Sequence, residues 1–282
     1  KYSLSTLPSA DFPVFGDGGD NTLLSISSSD LGELIFRTAF AVDPLQNWKD
    51  YLMGLYLFAG NGELVAVGSD SVRAAFAKKT IDSDHSFSGS VPKKSINEIS
   101  RFLSDNTGNA EFTITQSSIL FSIGNIAFKS KLIERKEDLV KFFRSVSPSG
   151  DCSVLECNVK ELSQTVSRMS VLAADNKYNE ILINASKDGT KISAKTRLSE
   201  QAEEHINATL NGKDFDLMIS FSILQEALSH FKTDVCHINF FGPDKISLIS
   251  LPPPNAEEQQ YLVQPIQPID TSVKEQPVIE QP

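Results

Sequence analysis

No stretch of this 282-residue chain approaches the roughly 18 consecutive apolar residues that a membrane-spanning helix needs. No charged, apolar and small-residue succession at the N-terminus reads as a secretion signal. Cysteine is scarce. Cys152, Cys157 and Cys236 are an odd number without CxxC spacing, which argues for reduced thiols in a cytosol rather than a disulfide scaffold. The four histidines, His85, His205, His230 and His237, share no HExxH or Cys/His ligand spacing, so no metal site is expected. GxSxG elbows, P-loops and catalytic cysteine contexts are also missing. Gly16, Gly18 and Gly19 make a glycine-rich loop, but no Gly-Lys-Ser/Thr follows to cradle phosphate. Paired acids such as Glu203-Glu204 and Glu257-Glu258 fit solvated faces better than general acid and base. The expectation is a cytoplasmic protein that is not an enzyme and needs no cofactor. The chain opens on Lys1 without a Met, so it is expected to start inside something longer.

What is present suffices for two domains of ordinary size, with 40% of residues hydrophobic. The formal net charge of -10 weighs against nucleic acid, since phosphate binding runs on Lys and Arg neutralisation. Distribution matters more than the total, because a protein that surrounds DNA can be acidic outside and basic on one inner face.

The most informative stretch is residues 91–103, VPKKSINEISRFL. Ile96, Ile99, Phe102 and Leu103 recur at the spacing that shares one helix face. Lys93, Lys94, Asn97, Glu98 and Arg101 fall outside that stripe. Residues 219–231 repeat the pattern through Ile223, Leu224, Ala227, Leu228 and Phe231, about 128 positions later. One domain is therefore expected to be written twice. An opening helix at 27–43 takes Ser28 or Ser29 as its cap and buries Leu31, Leu34, Ile35 and Val42, with Arg37 off the stripe. Strands follow at 51–59, 63–69, 72–80 and 87–91, the first two joined by the Gly60-Asn61-Gly62 hairpin turn. After the second helix come strands at 110–115, 119–123 and 126–133. The second copy places a helix at 159–174, strands at 180–185, 191–196, 205–210 and 216–220, its second helix, and strands at 235–241, 246–251 and 261–263.

The expected fold class is α+β, two tandem units that each pack two helices on an antiparallel sheet in the order helix, four strands, helix, three strands. The expected division runs as follows: 1–13 the end of a preceding domain and a linker, 14–135 the first unit, 136–148 a connector, 149–268 the second unit, and 269–282 a flexible tail rich in Pro, Glu, Gln and Val. Lys93 and Lys94 occupy a helix first turn, where the dipole disfavours cations. Solubility and phosphate binding explain them equally well. Gln46-Asn47-Trp48-Lys49-Asp50-Tyr51 follows the first helix as a polar and aromatic loop, suited either to a nucleic-acid backbone or to partial burial.

Several segments resemble the bacterial sliding clamp, the β subunit of DNA polymerase III. Tyr2-Ser3-Leu4-Ser5-Thr6-Leu7-Pro8-Ser9-Ala10-Asp11-Phe12-Pro13 is similar to the junction of that family's first and second domains. In the same order follow Tyr51-Leu52-Met53-Gly54, Ser69-Asp70-Ser71-Val72-Arg73-Ala74, Val91-Pro92-Lys93-Lys94, Phe128-Lys129-Ser130-Lys131-Leu132, Ala202-Glu203-Glu204 and Tyr261-Leu262-Val263-Gln264-Pro265-Ile266. The resemblance implies the second and third domains of a clamp-type protomer that pairs head to tail into a ring around duplex DNA. The full-length protein would be a homodimer, this portion alone a monomer, and no membrane would be involved. It implies a DNA-facing set of Gln46, Lys49, Tyr51, Lys93, Lys94 and Arg101. It also implies a peptide pocket made by Leu52, Ser69, Ser71, Val72, Arg73, Ala74, Leu262, Gln264, Pro265 and Ile266. Partners would be double-stranded DNA, the DNA polymerase III catalytic subunit, the clamp loader and other proteins carrying a clamp-binding motif. Where the family usually shows Thr-Asp-Gly-His-Arg-Leu, this chain keeps Asp70 and Arg73 but has Ser71 for the glycine and Ala74 for the leucine. Glu134-Arg135-Lys136-Glu137-Asp138-Leu139 replaces Gly-Arg-Phe-Pro-Asp-Tyr, and Gln264-Pro265-Ile266-Gln267 replaces Met-Pro-Met-Arg. The alternative is a clamp-fold interaction module that no longer encircles DNA.

Overall fold

A computed structural model describes residues 5–6, 8, 10, 22–42, 52–115, 117–134, 138–175, 179–196, 198 and 200–267. The linker at 11–13, the glycine-rich loop, the loop carrying Gln46, Lys49 and Tyr51, and the tail at 269–282 lie outside them.

By internal contacts the chain divides into two units: residues 1–70 with 77–140, and residues 71–76 with 141–282. The first unit opens on β1 (Thr22–Ser27), which the sequence reading does not anticipate. Ser27 ends that strand and caps α1 (Ser28–Thr38), its hydroxyl accepting from the Asp30 amide at 3.0 Å and donating to the Asp30 carboxylate at 2.6 Å. The cap is thus Ser27 and not Ser28 or Ser29, because Ser27 alone keeps the extended backbone that lets a side chain reach back over the first turn. Leu31, Leu34, Ile35 and Val42 are buried as the periodicity predicts. Arg37 departs from expectation. It is 7% exposed, with its guanidinium on Glu33 at 2.5 Å, one turn earlier on the same helix. A one-turn 3-10 segment, Ala39–Ala41, finishes the helical stretch earlier than predicted.

β2 (Gly54–Gly60) and β3 (Glu63–Ser69) form the expected hairpin, with Gly60 opposite Glu63. Asn61 and Gly62 both take positive φ, 55° and 73°, the requirement of a two-residue turn that follows strand twist. β4 (Arg73–Thr80) and β5 (Phe87–Pro92) lead into α2 (Lys93–Asp105), and β6 (Asn109–Ile114), β7 (Ser118–Ile123) and β8 (Ile126–Lys131) close the unit. Ile96, Ile99 and Leu103 of α2 are buried, and Phe102 packs at the edge of the same core. The strands make two sheets, not the single sheet expected. One has the order β1-β6-β7-β8, and the other runs β5-β2-β3 with the 77–80 half of β4. α1 and α2 pack on each other and reach strands of both sheets.

α3 (Leu139–Val146), the helical turn expected in the connector extended to eight residues, starts at the end of the first unit and runs into the second. β9 (Ser153–Asn158) is a second unanticipated strand. Its Ser153, Leu155 and Cys157 are buried, alternating with less buried neighbours. α4 (Val159–Ala173) is capped by Asn158, which accepts from the Glu161 amide at 3.0 Å. β10 (Glu180–Ser186), β11 (Gly189–Lys195), β12 (Gln201–Ile206), β13 (Ala208–Asn211) and β14 (Phe215–Ser220) follow, then α5 (Phe221–Ser229), β15 (Val235–Phe240), β16 (Ser247–Ser250) and β17 (Gln259–Val263). The strand predicted at 205–210 is two strands in different sheets. β12 joins the sheet β12-β11-β10-β14, whereas β13 joins β13-β9-β15-β16-β17. The chain changes sheets at Asn207, whose amide is held by the Glu161 carboxylate at 3.0 Å. Both units thus share strand, helix, a run of strands, helix and three strands, the second with five strands between its helices.

Candidate functional site

α2 presents the basic residues singled out above. Buried Ile96, Ile99 and Leu103 orient the helix so that Lys94, Asn97 and Arg101 are exposed. Lys93 points the other way: its ammonium donates to the Val42 carbonyl oxygen at 2.7 Å, which secures the last turn after α1. Arg101 pairs with Glu98 at 3.1 Å, and its guanidinium carbon lies 5.6 Å from the Phe102 ring centre. Lys94 and Arg101 are therefore the solvent-facing cations of this surface among the described residues of α2.

In the second unit, α4 exposes Lys160, Gln164, Ser167, Arg168 and Val171. The Arg168 guanidinium forks onto the Glu204 carboxylate, with Nε at 2.9 Å, and touches the Thr165 hydroxyl at 3.0 Å. Those hydrogen bonds hold the Glu204 carboxyl below its ordinary range and push the Arg168 guanidinium up. Val171 is 81% exposed, an apolar side chain on an otherwise polar helix face.

Most of the pocket residues named from the sequence meet inside the second unit. Ser71 takes a φ of 75°, a backbone state that a β-branched residue resists and glycine accepts freely. Val72 beside it is 51% exposed, and its carbonyl oxygen accepts from the Gln264 amide at 3.3 Å. The Ile266 amide donates to the Met218 carbonyl oxygen at 2.9 Å, fixing the segment after β17. Pro265 is buried, Ile266 and Ala74 are half-buried, and Leu262 at 3% exposure is a core residue. Leu52 (6% exposed) and half-buried Ser69 belong to the first unit.

Two features of the second unit are not named in the sequence reading. Arg73 Nη1 meets the Glu226 carboxylate of α5 at 2.6 Å, across 153 positions of chain. No local pattern signals such a pair. Phe142 on α3 is 49% exposed, while its neighbour Phe143 stacks on Phe76 with ring centres 5.0 Å apart. The apolar half of the connector carried that signal. His230, which follows α5, has Nδ1 within 2.8 Å of the Glu226 backbone oxygen, and burial lowers its pKa below the ordinary 6.5. Cys157 and Cys236 are opposed on β9 and β15 and both buried. Burial pushes Cys157 well up and Cys236 up to about 12, so both remain protonated thiols. Among the described residues no three His, Cys, Asp or Glu side chains gather to hold a metal, and no helix is long and apolar enough to cross a membrane.

A twice-repeated helix-pair unit with two antiparallel sheets, polar helix faces and an exposed apolar side chain at Val72 is the architecture of a clamp-type domain array. The family profile for the DNA polymerase III beta subunit, central domain, matches residues 25–136, and that for its C-terminal domain matches residues 144–267. The chain belongs to this family, the bacterial sliding clamps. The beta sliding clamp of Pseudomonas aeruginosa is 29% identical over 268 residues, covering 94% of this chain and 71% of that protein. A crystal structure of the Pseudomonas aeruginosa clamp superposes with a TM-score of 0.86 at 28% identity, over 95% of this chain and 71% of that one. The sliding clamp of Bacillus subtilis gives a TM-score of 0.84 at 25% identity, over 93% of this chain and 68% of that one.

Proposed function

We propose that this chain is the central and C-terminal portion of a processivity clamp. In this reading the protein closes as a head-to-tail dimer around duplex DNA and touches it without regard to sequence. It catalyses nothing itself, and tethers the replicative polymerase, the clamp loader and other partners by a short hydrophobic peptide. The tandem match of both domain profiles is the observation that carries the reading. The exposed side of α2, with Lys94 and Arg101, supplies the kind of sparse cationic contact that holds phosphates loosely enough to slide. Lys93 contributes through the carbonyl it secures, and Gln46, Lys49 and Tyr51 are assigned to the same surface by resemblance alone. Val72, Arg73, Ala74, Gln264, Pro265 and Ile266 form the part of the peptide-binding surface that lies in the second unit, with Leu262 beneath it. Ser71 lies in the second unit beside Val72, and Leu52 and Ser69, in the first, are assigned to the set by resemblance alone.

The test is retention on DNA. The full-length protein, loaded onto a nicked circular plasmid, should stay bound through gel filtration at high salt and come off once the plasmid is linearised. Equal loss from circle and line would sink the ring.

A second reading, a clamp-fold module that binds protein partners without encircling DNA, has one observation in its favour. Two of the helix cations, Lys93 and Arg168, are spent on internal contacts, and the chain as a whole carries -10. Peptide binding without topological retention on DNA would select it.

A further inference from the structure

In the second unit the loop between β16 and β17 meets the start of β15 around a hollow of about 300 Å³. Buried Leu251 and half-buried Val235 and Pro252 give it an apolar lining, to which Pro253 adds its ring. The wall is preformed. Three consecutive prolines, Pro252 to Pro254, restrict the backbone. The Asn255 amide donates to the Pro252 carbonyl oxygen at 3.1 Å, and the Glu258 amide to the Asn255 carbonyl oxygen at 2.9 Å. Prolines have no N–H, and the Thr233 hydroxyl already donates to the Val235 carbonyl oxygen at 2.9 Å, so the hollow has little to offer an anion. Asp234 and Asn255 stand exposed at its edge. Among the described residues the Asp234 carboxylate has no hydrogen-bond or ion-pair partner. Its backbone is fixed independently, the Asp234 carbonyl oxygen accepting from the Val159 amide at 2.8 Å.

We propose that this hollow is a second docking point, which takes an arginine with an aliphatic neighbour from a partner protein. The guanidinium sits on Asp234 and the apolar groups lie against Val235, Leu251 and the prolines. The chemistry of the lining selects that occupant. Arginine brings five donors and no acceptor to a lone carboxylate, and its methylene stem is apolar enough to lie along proline rings. A volume of about 300 Å³ equals roughly ten waters at ~30 Å³ each, room for that stem and one aliphatic side chain. A net charge of -10 draws basic segments toward the protein, and Asp234 repels an acid at this spot. The hollow is distinct from the surface at Val72. It lies where the Leu251 amide bonds the Gln259 carbonyl oxygen at the start of β17, whereas the 264–266 segment follows that strand's other end.

The experiment titrates acetylated, amidated peptides into the chain labelled at its valine and leucine methyl groups and follows them by NMR. The peptides share a leucine on each side of a central arginine, citrulline or glutamate. Citrulline keeps the shape of arginine and removes its charge. The arginine peptide should shift the Val235 and Leu251 methyl signals saturably. It should bind about two- to fivefold more tightly than the citrulline peptide, the range a solvent-accessible ion pair supports, and the glutamate peptide should bind most weakly. Asp234→Asn should keep the wild-type thermal transition, abolish the advantage of arginine over citrulline and leave the citrulline Kd unchanged. If the Val235 and Leu251 signals stay in place up to millimolar arginine peptide while Val72 moves, the second docking point is overturned and the peptide surface stands. If none of the three signals moves, the docking point is overturned as well. If all three peptides shift Val235 and Leu251 with equal Kd, or if arginine keeps its advantage in Asp234→Asn, the arginine-selective role of Asp234 is overturned.

Discussion

The ammonium of Lys93 donates to the carbonyl oxygen of Val42 at 2.7 Å, joining the start of α2 to the end of the first helical stretch. Lys94, one residue on, faces solvent. Adjacent lysines in a helix first turn therefore have different work, one tying the fold and one free to meet an anion. Lys93→Ala should lower stability by about 1 kcal/mol, the usual consequence of leaving a partly buried carbonyl without its donor. Lys94→Ala should leave the urea midpoint unchanged and reduce the slope of log affinity for duplex DNA against log salt by about 0.9. Denaturation curves and a salt series on both variants check the assignment, and equal effects of the two substitutions would contradict it.

The first helix offers a sharper comparison, because three consecutive serines, Ser27 to Ser29, span its start and only Ser27 caps it. Ser27→Ala should cost about 1 kcal/mol, while Ser28→Ala and Ser29→Ala should change little. The loss should be accompanied by a rise of the Asp30 pKa. The Ser27 hydroxyl is the largest cause holding that carboxyl below its usual range, ahead of the Lys79 ammonium at 3.3 Å. Urea midpoints give the first quantity and carboxyl titration by NMR the second.

Periodicity made the two second helices of the units legible, since Ile96, Ile99, Leu103 and Leu224, Ala227, Leu228 are buried where the spacing places them. The consecutive positive-φ residues of the Asn61-Gly62 turn were equally plain. β1 and β9 were not. Each is six residues long and runs straight into a capped helix, so its last residue belongs to both signals, and the helix pattern hides the strand. Arg37 was misplaced because charge alone argued for the surface, whereas Glu33 one turn earlier lets the guanidinium go inside. The Arg73 and Glu226 pair depends on how α5 lies beside a strand 153 positions away, which only the tertiary structure fixes.

His230 should make the second unit acid-sensitive. Burial lowers its pKa below 6.5, with the Arg73 charge adding to the effect and the Glu226 carbonyl and carboxylate opposing it. The unfolded chain, titrating near 6.5, then takes up the proton more readily than the native state. The stability this group contributes is complete above pH 6.5 and is lost as pH falls through the lower folded value. The urea midpoint of the wild type should drop between pH 7.5 and 5, and His230→Asn should show a smaller drop. Identical pH dependence in the two proteins would assign the effect elsewhere.

The three thiols should separate by reactivity. Cys157 and Cys236 are buried at 1% and 0% exposure and protonated at neutral pH, whereas Cys152 is half-buried, its pKa raised by partial burial and by Asp151. An aromatic disulfide reagent should label one thiol slowly in the native protein, and all three once denaturant is added. Cys152→Ser should abolish the native-state signal.

Two glycines test how α1 is seated, and they predict opposite signs. A Cβ on Gly68 of β3 would stand 2.3 Å from the carbonyl oxygen of Thr38 and 3.2 Å from Val42 Cγ2. The first contact is with backbone at the end of α1, which cannot rotate away as a side chain would. Gly68→Ala should therefore push the helix off the strand and cost about 3 kcal/mol, the upper end for overpacking. Gly32, within α1, has nothing within 4 Å of its would-be Cβ. Gly32→Ala should raise stability by about 0.5 to 1 kcal/mol, because alanine loses less backbone freedom in a helix. If Gly68→Ala were as well tolerated as Gly32→Ala, the close seating of β3 against α1 would be wrong.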